Sequence, residues 1–262
     1  MRTINLIGIP LDDNASFMQG AAQGPEAALA ALHSGSANLW SETGHDLASV
    51  LVDAGVVELP GMPAAMETIA QVAREAGESE DKPIFIGGDH SITYPLVKGL
   101  RQAVGKFTIL HFDAHPDCYD SFEGNPFSHA SPFSRIMEES LCTRLVSVGI
   151  RTATGHQREQ KARFGIEWLE MKDFASWPRL VFDGPVYISL DMDVLDPAHA
   201  PGVAHHEPGG LTARQVLDII HGVDAPIIGA DIVELNPGRD VNTVTAMVAA
   251  KLIREVAGMM VG

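Results

Sequence analysis

Asp113, His115 and Asp117 stand two apart at the end of an apolar run that includes Phe107, Ile109, Leu110 and Phe112. The run has the β-branched and aromatic character of a strand buried on both faces. Side chains alternate along extended chain, so the three polar groups project to one side. Two carboxylates and an imidazole crowded there repel and desolvate one another unless a positive charge sits between them, and a divalent cation is the simplest remedy. Taken alone, the triplet also fits a polar strand end with solvated Asp side chains.

Three more clusters have the same setting. Asp89 and His90 follow or end the stretch PIFIGGDH, Asp191 and Asp193 follow VYISL, and Glu234 follows PIIGADIV. If these runs are strands of one parallel α/β sheet, their C-terminal ends share an edge, which is where ligands bind in such sheets. Gly87 and Gly88 are expected to turn the backbone sharply, so that His90 points back over that edge. The ligand inventory is then His90, Asp113, His115, Asp117, Asp191 and Asp193. A set of this size, dominated by carboxylates, suits two bridged divalent ions, and favours manganese over zinc. Two metals ~3.5–4 Å apart serve to make hydroxide from water at neutral pH.

The elements that must position these residues alternate along the chain. Strands are expected at Ile4–Ile9, around Val50–Val52, at 83–88, 107–112, Arg144–Ile150, Val186–Asp191 and 226–234. Helices are expected from Pro25 to a stop at Gly35, and over 63–76, 94–104, 132–141, 156–164, 212–221 and 243–260. Two long polar loops, 117–131 and 192–210, follow the strands that end in carboxylates. This pattern predicts an α/β fold: a three-layer α/β/α sandwich around a central, mostly parallel sheet. With no repeat or linker-like break, residues 1–262 read as one domain.

Of the 262 residues, 45% are hydrophobic, enough for a large core, and the formal net charge is -16. That sign excludes nucleic acid and anionic membrane as natural partners and suits a cationic substrate. Cys118 and Cys142 are the only cysteines, which leaves no disulfide framework or CxxC site. The short apolar run after Met1 does not make a signal peptide, and no stretch is apolar enough to span a membrane. A cytoplasmic location is the expectation.

GGDHS at Gly87–Ser91, DAHPD at Asp113–Asp117, SLDMDVLDP at Ser189–Pro197 and ELNP at Glu234–Pro237 resemble the ureohydrolase family of arginases and agmatinases. NASFMQG at Asn14–Gly20, EGNPFSHAS at Glu123–Ser131 and APGVAHHEPGG at Ala200–Gly210 are most similar to the plant-type arginases and their bacterial relatives. The resemblance implies two Mn2+ ions, one held by His90, Asp113, Asp117 and Asp191, the other by Asp113, His115, Asp191 and Asp193. It implies further that Asp117 orients the attacking hydroxide, that His129 moves protons to the leaving amine, and that Glu234 pairs with a small cationic guanidino substrate. The implied reaction releases urea, from L-arginine first and from agmatine as the alternative. Asn125 and Ser128 are the expected contacts for the far end of the substrate. A homo-oligomer, trimer or hexamer, is also implied.

Competing readings are a one-zinc deacylase on a related fold, which would need fewer ligands, and a non-catalytic metal-binding relative, which would be expected to have lost one. Asp196 reads as a turn cap, Asp89 as support for the ligands, and Cys118 as packed. His205 and His206 read as structural or as oligomer contacts. Arg151 could be structural, contact a subunit or meet the substrate.

Overall fold

The computed structural model describes residues 2–262. Its strands are β1 (Ile4–Ile9), β2 (Leu51–Val56), β3 (Lys82–Gly87), β4 (Thr108–Phe112), β5 (Arg144–Ile150), β6 (Glu167–Glu170), β7 (Val186–Asp191) and β8 (Ile227–Val233). They form one eight-stranded sheet in the order β2-β1-β3-β8-β7-β4-β5-β6. Every pairing is parallel, so the sheet is wholly rather than mostly so. The helices are α1 (Gly24–Leu32), α2 (Ala64–Glu78), α3 (Thr93–Val104), α4 (Pro132–Glu138), α5 (Gly155–Phe164), α6 (Ala213–His221) and α7 (Val244–Val261).

The period-two alternation of the central strands builds two cores. Ile84, Ile86, Leu110 and Phe112 face α1, α6 and α7 through Leu29, Leu32, Val216, Ile220, Leu252 and Val256. Phe85, Ile109 and Tyr187 face the opposite layer, where Ile69, Leu96, Leu100 and Phe133 come from α2, α3 and α4. Both faces of the sheet are thus covered, as all-parallel sheets require. Local chemistry starts the helices where the sheet needs them. Thr212 and Gln215 form a reciprocal capping box at the start of α6, and Thr154 and Gln157 do the same for α5.

Some boundaries differ from expectation. The chain leaves α1 at His33, before Gly35. It leaves α4 at Glu139, and Ser140 then adopts a left-handed φ of 52°. The edge strand β6 was not expected: it has four residues, of which only Trp168 is buried, so it carries no apolar run. For the site, the decisive feature is the middle of the sheet. β3, β8, β7 and β4 are consecutive neighbours, and they are the four strands whose ends carry the chemistry.

Candidate active site

At the end of β3 the backbone is pressed against the loop that follows β1. Gly88 N–H donates to the Ile9 carbonyl at 2.9 Å, and Asp89 N–H to the Leu11 carbonyl at 2.8 Å. A Cβ on Gly88 would lie 1.8 Å from the Leu11 oxygen. Glycine is required at position 88 for this close approach, and neither Gly87 nor Gly88 has a positive φ. Asp89 accepts from Ser91 N–H and Asn14 N–H, each at 3.0 Å, and so caps the short 3-10 turn that begins with His90.

His90 is buried, and its Nδ1 lies 3.2 Å from Asp113 Oδ2, 3.1 Å from Asp117 Oδ2 and 3.2 Å from Asp191 Oδ2. Nε2–H donates to Ser189 Oγ at 3.1 Å, and that hydroxyl donates to buried Asp231 at 2.8 Å. The relay leaves the Nδ1 lone pair among three carboxylate oxygens, with no hydrogen-bond partner. A nitrogen and three oxygens meeting in this way are the donor set of a divalent cation. Next to it, Asp113, His115 and Asp193 form a second group, with His115 Nδ1 at 2.9 Å from Asp193 Oδ2. Asp113 is common to both groups; Asp191 falls in the first and Asp193 in the second.

The electrostatics of the cage call for cations. Burial, Asp193 and Asp113 push the Asp191 carboxyl well above its ordinary range. Burial acts on Asp113 in the same direction, but His111, His115 and His90 outweigh it and hold that carboxyl well below. Four carboxylates in one buried cage carry a charge that two divalent ions would balance. Asp117 and Glu234 have φ of 42° and 66°, a left-handed conformation that costs a non-glycine residue about 1–3 kcal/mol.

A cavity of about 180 Å³ opens over the cage, lined by His115, Asp117, Asp191, Asp193, His129 and Glu234 among others, with no Lys or Arg in its wall. His129 Nδ1 faces Glu234 Oε1 at 2.9 Å and Nε2 faces Ser16 Oγ at 2.7 Å. Burial alone would lower the His129 pKa, but the Glu234 carboxylate raises it to about 9. Burial would raise Glu234; His129 and the His90 N–H, donated at 2.9 Å, pull it below the usual value.

Asn125 and Ser128 are not brought to this cavity. Asn125 bridges the Asn14 side chain and Phe127 N–H, and Ser128 Oγ accepts from Ala130 N–H, so Ser128 shapes its own loop and Asn125 also ties that loop to the one after β1. Thr152, Thr154, Gln157 and Tyr119 supply polar groups in the wall instead. His205 also lines it, with its ring 5.3 Å from that of His129 and 5.9 Å from that of His115. His206 Nε2 bonds the Pro201 carbonyl, outside the cavity. Arg151 donates to the carbonyls of Gly149, Asp193, Val194, Leu195 and Glu207, and is a structural clamp. Asp196 caps its turn by accepting from Ala198, Gly209 and Gly210. Cys118 is fully buried, and burial pushes its thiol far up.

Sequence reasoning missed His111, buried in β4 with Nε2 at 2.8 Å from Asp113 Oδ2, although it begins the period-two series His111, Asp113, His115, Asp117. It also missed Asp231, a lone carboxylate within the β8 run.

Comparison with known proteins places the molecule in a class. The Arginase family matches residues 2–258, and the chain belongs to that family. It is an amidinohydrolase with a buried His/Asp site suited to metal. The chain is 47% identical over 272 residues to the mitochondrial Arginase 1 of Arabidopsis thaliana, covering 97% of this chain and 80% of that protein. The solved arginase from Medicago truncatula superposes with a TM-score of 0.93 at 40% identity, covering 99% of this chain and 87% of that one. An N(1)-aminopropylagmatine ureohydrolase from Thermus thermophilus is 34% identical over 281 residues, covering 97% of this chain and 89% of that protein. The plant relatives also correct the expected cytoplasmic location. The arginases of Arabidopsis thaliana and Oryza sativa to which the chain is similar are named as mitochondrial or chloroplastic, not cytoplasmic. No helix among the described residues is long and apolar enough to cross a membrane.

Proposed function

We propose that the protein is an arginase that hydrolyses L-arginine to ornithine and urea with two manganese ions. The observation that carries the reading is His90 Nδ1 among three carboxylate oxygens at 3.1–3.2 Å, on the floor of a cavity whose wall holds the His129–Glu234 pair. His90, Asp113, Asp117 and Asp191 would hold one ion; Asp113, His115, Asp191 and Asp193 would hold the other. When bound, two divalent cations supply Lewis acidity, which makes hydroxide accessible at neutral pH and stabilises developing negative charge.

The remaining work belongs to the protein's own groups. Glu234 anchors the guanidinium by charge-assisted hydrogen bonds and holds its carbon over the cage. Asp117 accepts a hydrogen bond from the attacking oxygen and keeps its lone pair aimed at that carbon. The amine must leave as a neutral molecule, which requires a proton. His129, with its pKa raised to about 9, is protonated at neutral pH and is the source. With no cation in the wall, the substrate's α-carboxylate would meet the neutral donors Thr152, Thr154 and Gln157. A homo-oligomer, trimer or hexamer, is part of this reading and is checked by sedimentation.

Agmatine is the second reading, because the metal cage does not discriminate between the two substrates and the wall offers no cation to a carboxylate. The higher identity to plant arginases, 47% against 34% for the agmatine-type relative, favours arginine. Urea release from L-arginine and agmatine, assayed side by side on manganese-loaded protein, tests the choice. Faster release from L-arginine is expected; a large preference for agmatine overturns it.

A further inference from the structure

Neither ring nitrogen of His129 is free to meet a substrate directly. Nδ1 is held at 2.9 Å by Glu234 Oε1, which also accepts the His90 N–H, and Nε2 is held at 2.7 Å by Ser16 Oγ. A proton passed to Glu234 would neutralise the carboxylate that anchors the guanidinium. The remaining exit is Nε2, and the atom waiting there is the Ser16 hydroxyl. His129 is buried, whereas Ser16 is exposed and lines the cavity.

We propose that Ser16 is a catalytic residue, whose hydroxyl carries the proton from His129 Nε2 to the departing amine. The inference rests on the guanidine-hydrolysis reading above. As the C–N bond breaks, its electron pair goes to the amine nitrogen, which takes the proton of Ser16 Oγ–H. The serine oxygen takes the Nε2 proton of the imidazolium in the same movement. Serine ends with its hydroxyl intact and His129 ends neutral, to be reprotonated from solvent through the same exposed hydroxyl.

The loop is built to hold this hydroxyl in place. Asn14, two residues earlier, is buried and tied on four sides. Its N–H donates to Asp89 at 3.0 Å, its Nδ2 to Ser91 Oγ at 3.0 Å, and its carbonyl and Oδ1 accept from His129 N–H and Asn125 Nδ2. Asp12 closes the loop by accepting from Gly20 N–H at 2.6 Å. The same segment that carries Ser16 therefore also anchors the backbone of His129.

Ser16→Ala and Ser16→Thr in the manganese-loaded full chain test the proposal. The substrate is whichever of L-arginine and agmatine the unaltered protein hydrolyses faster, so a preference for agmatine changes the substrate assignment and leaves this test intact. Ser16→Ala is expected to lower kcat for urea release at least ~10²-fold, the low end for losing a proton-transfer group, with KM within about twofold and metal content unchanged. Ser16→Thr, which keeps a hydroxyl, is expected to recover kcat to within about threefold of the unaltered protein. Nitrogen-15 NMR of the histidines, which needs no substrate, should show the His129 Nε2 resonance moving in Ser16→Ala. Full kcat in the alanine variant, a change confined to KM, a threonine variant as slow as alanine, or an unmoved Nε2 resonance would each overturn the proposal. A protein that hydrolyses neither compound would overturn the parent reading and this one together.

Discussion

Asp113 and His129 mark the two kinds of work in the site, holding charge and moving a proton, and they should fail differently. Asp113→Ala or Asp191→Ala removes a carboxylate assigned to both ions, so metal analysis of either purified variant should show loss of both and no activity. His129→Ala should keep its metal and lose roughly 10²–10⁴-fold in kcat. A fully metallated, active Asp191→Ala would contradict the assignment. The six proposed ligands were visible in the sequence because each interrupts or directly follows an apolar run, where a polar side chain needs a reason. His111 and Asp231 were not, because each lies inside a run that reads as buried strand, and only coordinates show what a buried polar atom touches. Asn125 and Ser128 are the opposite case, placed outside the cavity. Loop residues carry no period, so sequence cannot tell a side chain that faces a cavity from one that holds the loops in place.

Among the elements, the turn after β7 depends on one side chain. Arg151, at the end of β5, satisfies the carbonyls of Asp193, Val194 and Leu195 and so holds Asp193 in place. Arg151→Ala would leave partly buried carbonyls unpaired and should cost about 2–4 kcal/mol in denaturant unfolding, with weakened metal retention. A second tie binds the segment before β2 to α6 and α7. Arg214 and Lys251 hold the Glu42 carboxyl down at about 2, from an ordinary 4.5. Its depressed pKa means that the contribution is present above about pH 4.5 and is lost as pH falls through about 2. Glu42 is largely exposed, so the effect is small: Glu42→Gln should lower Tm by about 1–3 °C at pH 7, and the gap to the unaltered protein should close toward pH 2. Most elements were legible because apolar periodicity and caps such as Thr212 state them locally. β6 was not, since an edge strand with only Trp168 buried is specified by its pairing with β5.

At the scale of the whole molecule, a parallel sheet turns residues scattered from position 90 to position 234 into one site. The reading of strand–helix alternation as a three-layer α/β/α fold held because that pattern leaves few ways to bury both faces of each strand. Strand order is set by long-range packing and was not readable, yet it decides the outcome by making β3, β8, β7 and β4 neighbours. The excess of acid, a net -16, includes the four carboxylates of the cage and favours approach of a cationic substrate. The central claim is that this cage binds a pair of metal ions, and anomalous diffraction at the manganese edge from crystals of the loaded protein tests it most directly. Two peaks ~3.5–4 Å apart, bounded by His90, Asp113, His115, Asp117, Asp191 and Asp193, are the predicted result. A single peak, or none within reach of these six side chains, would contradict it.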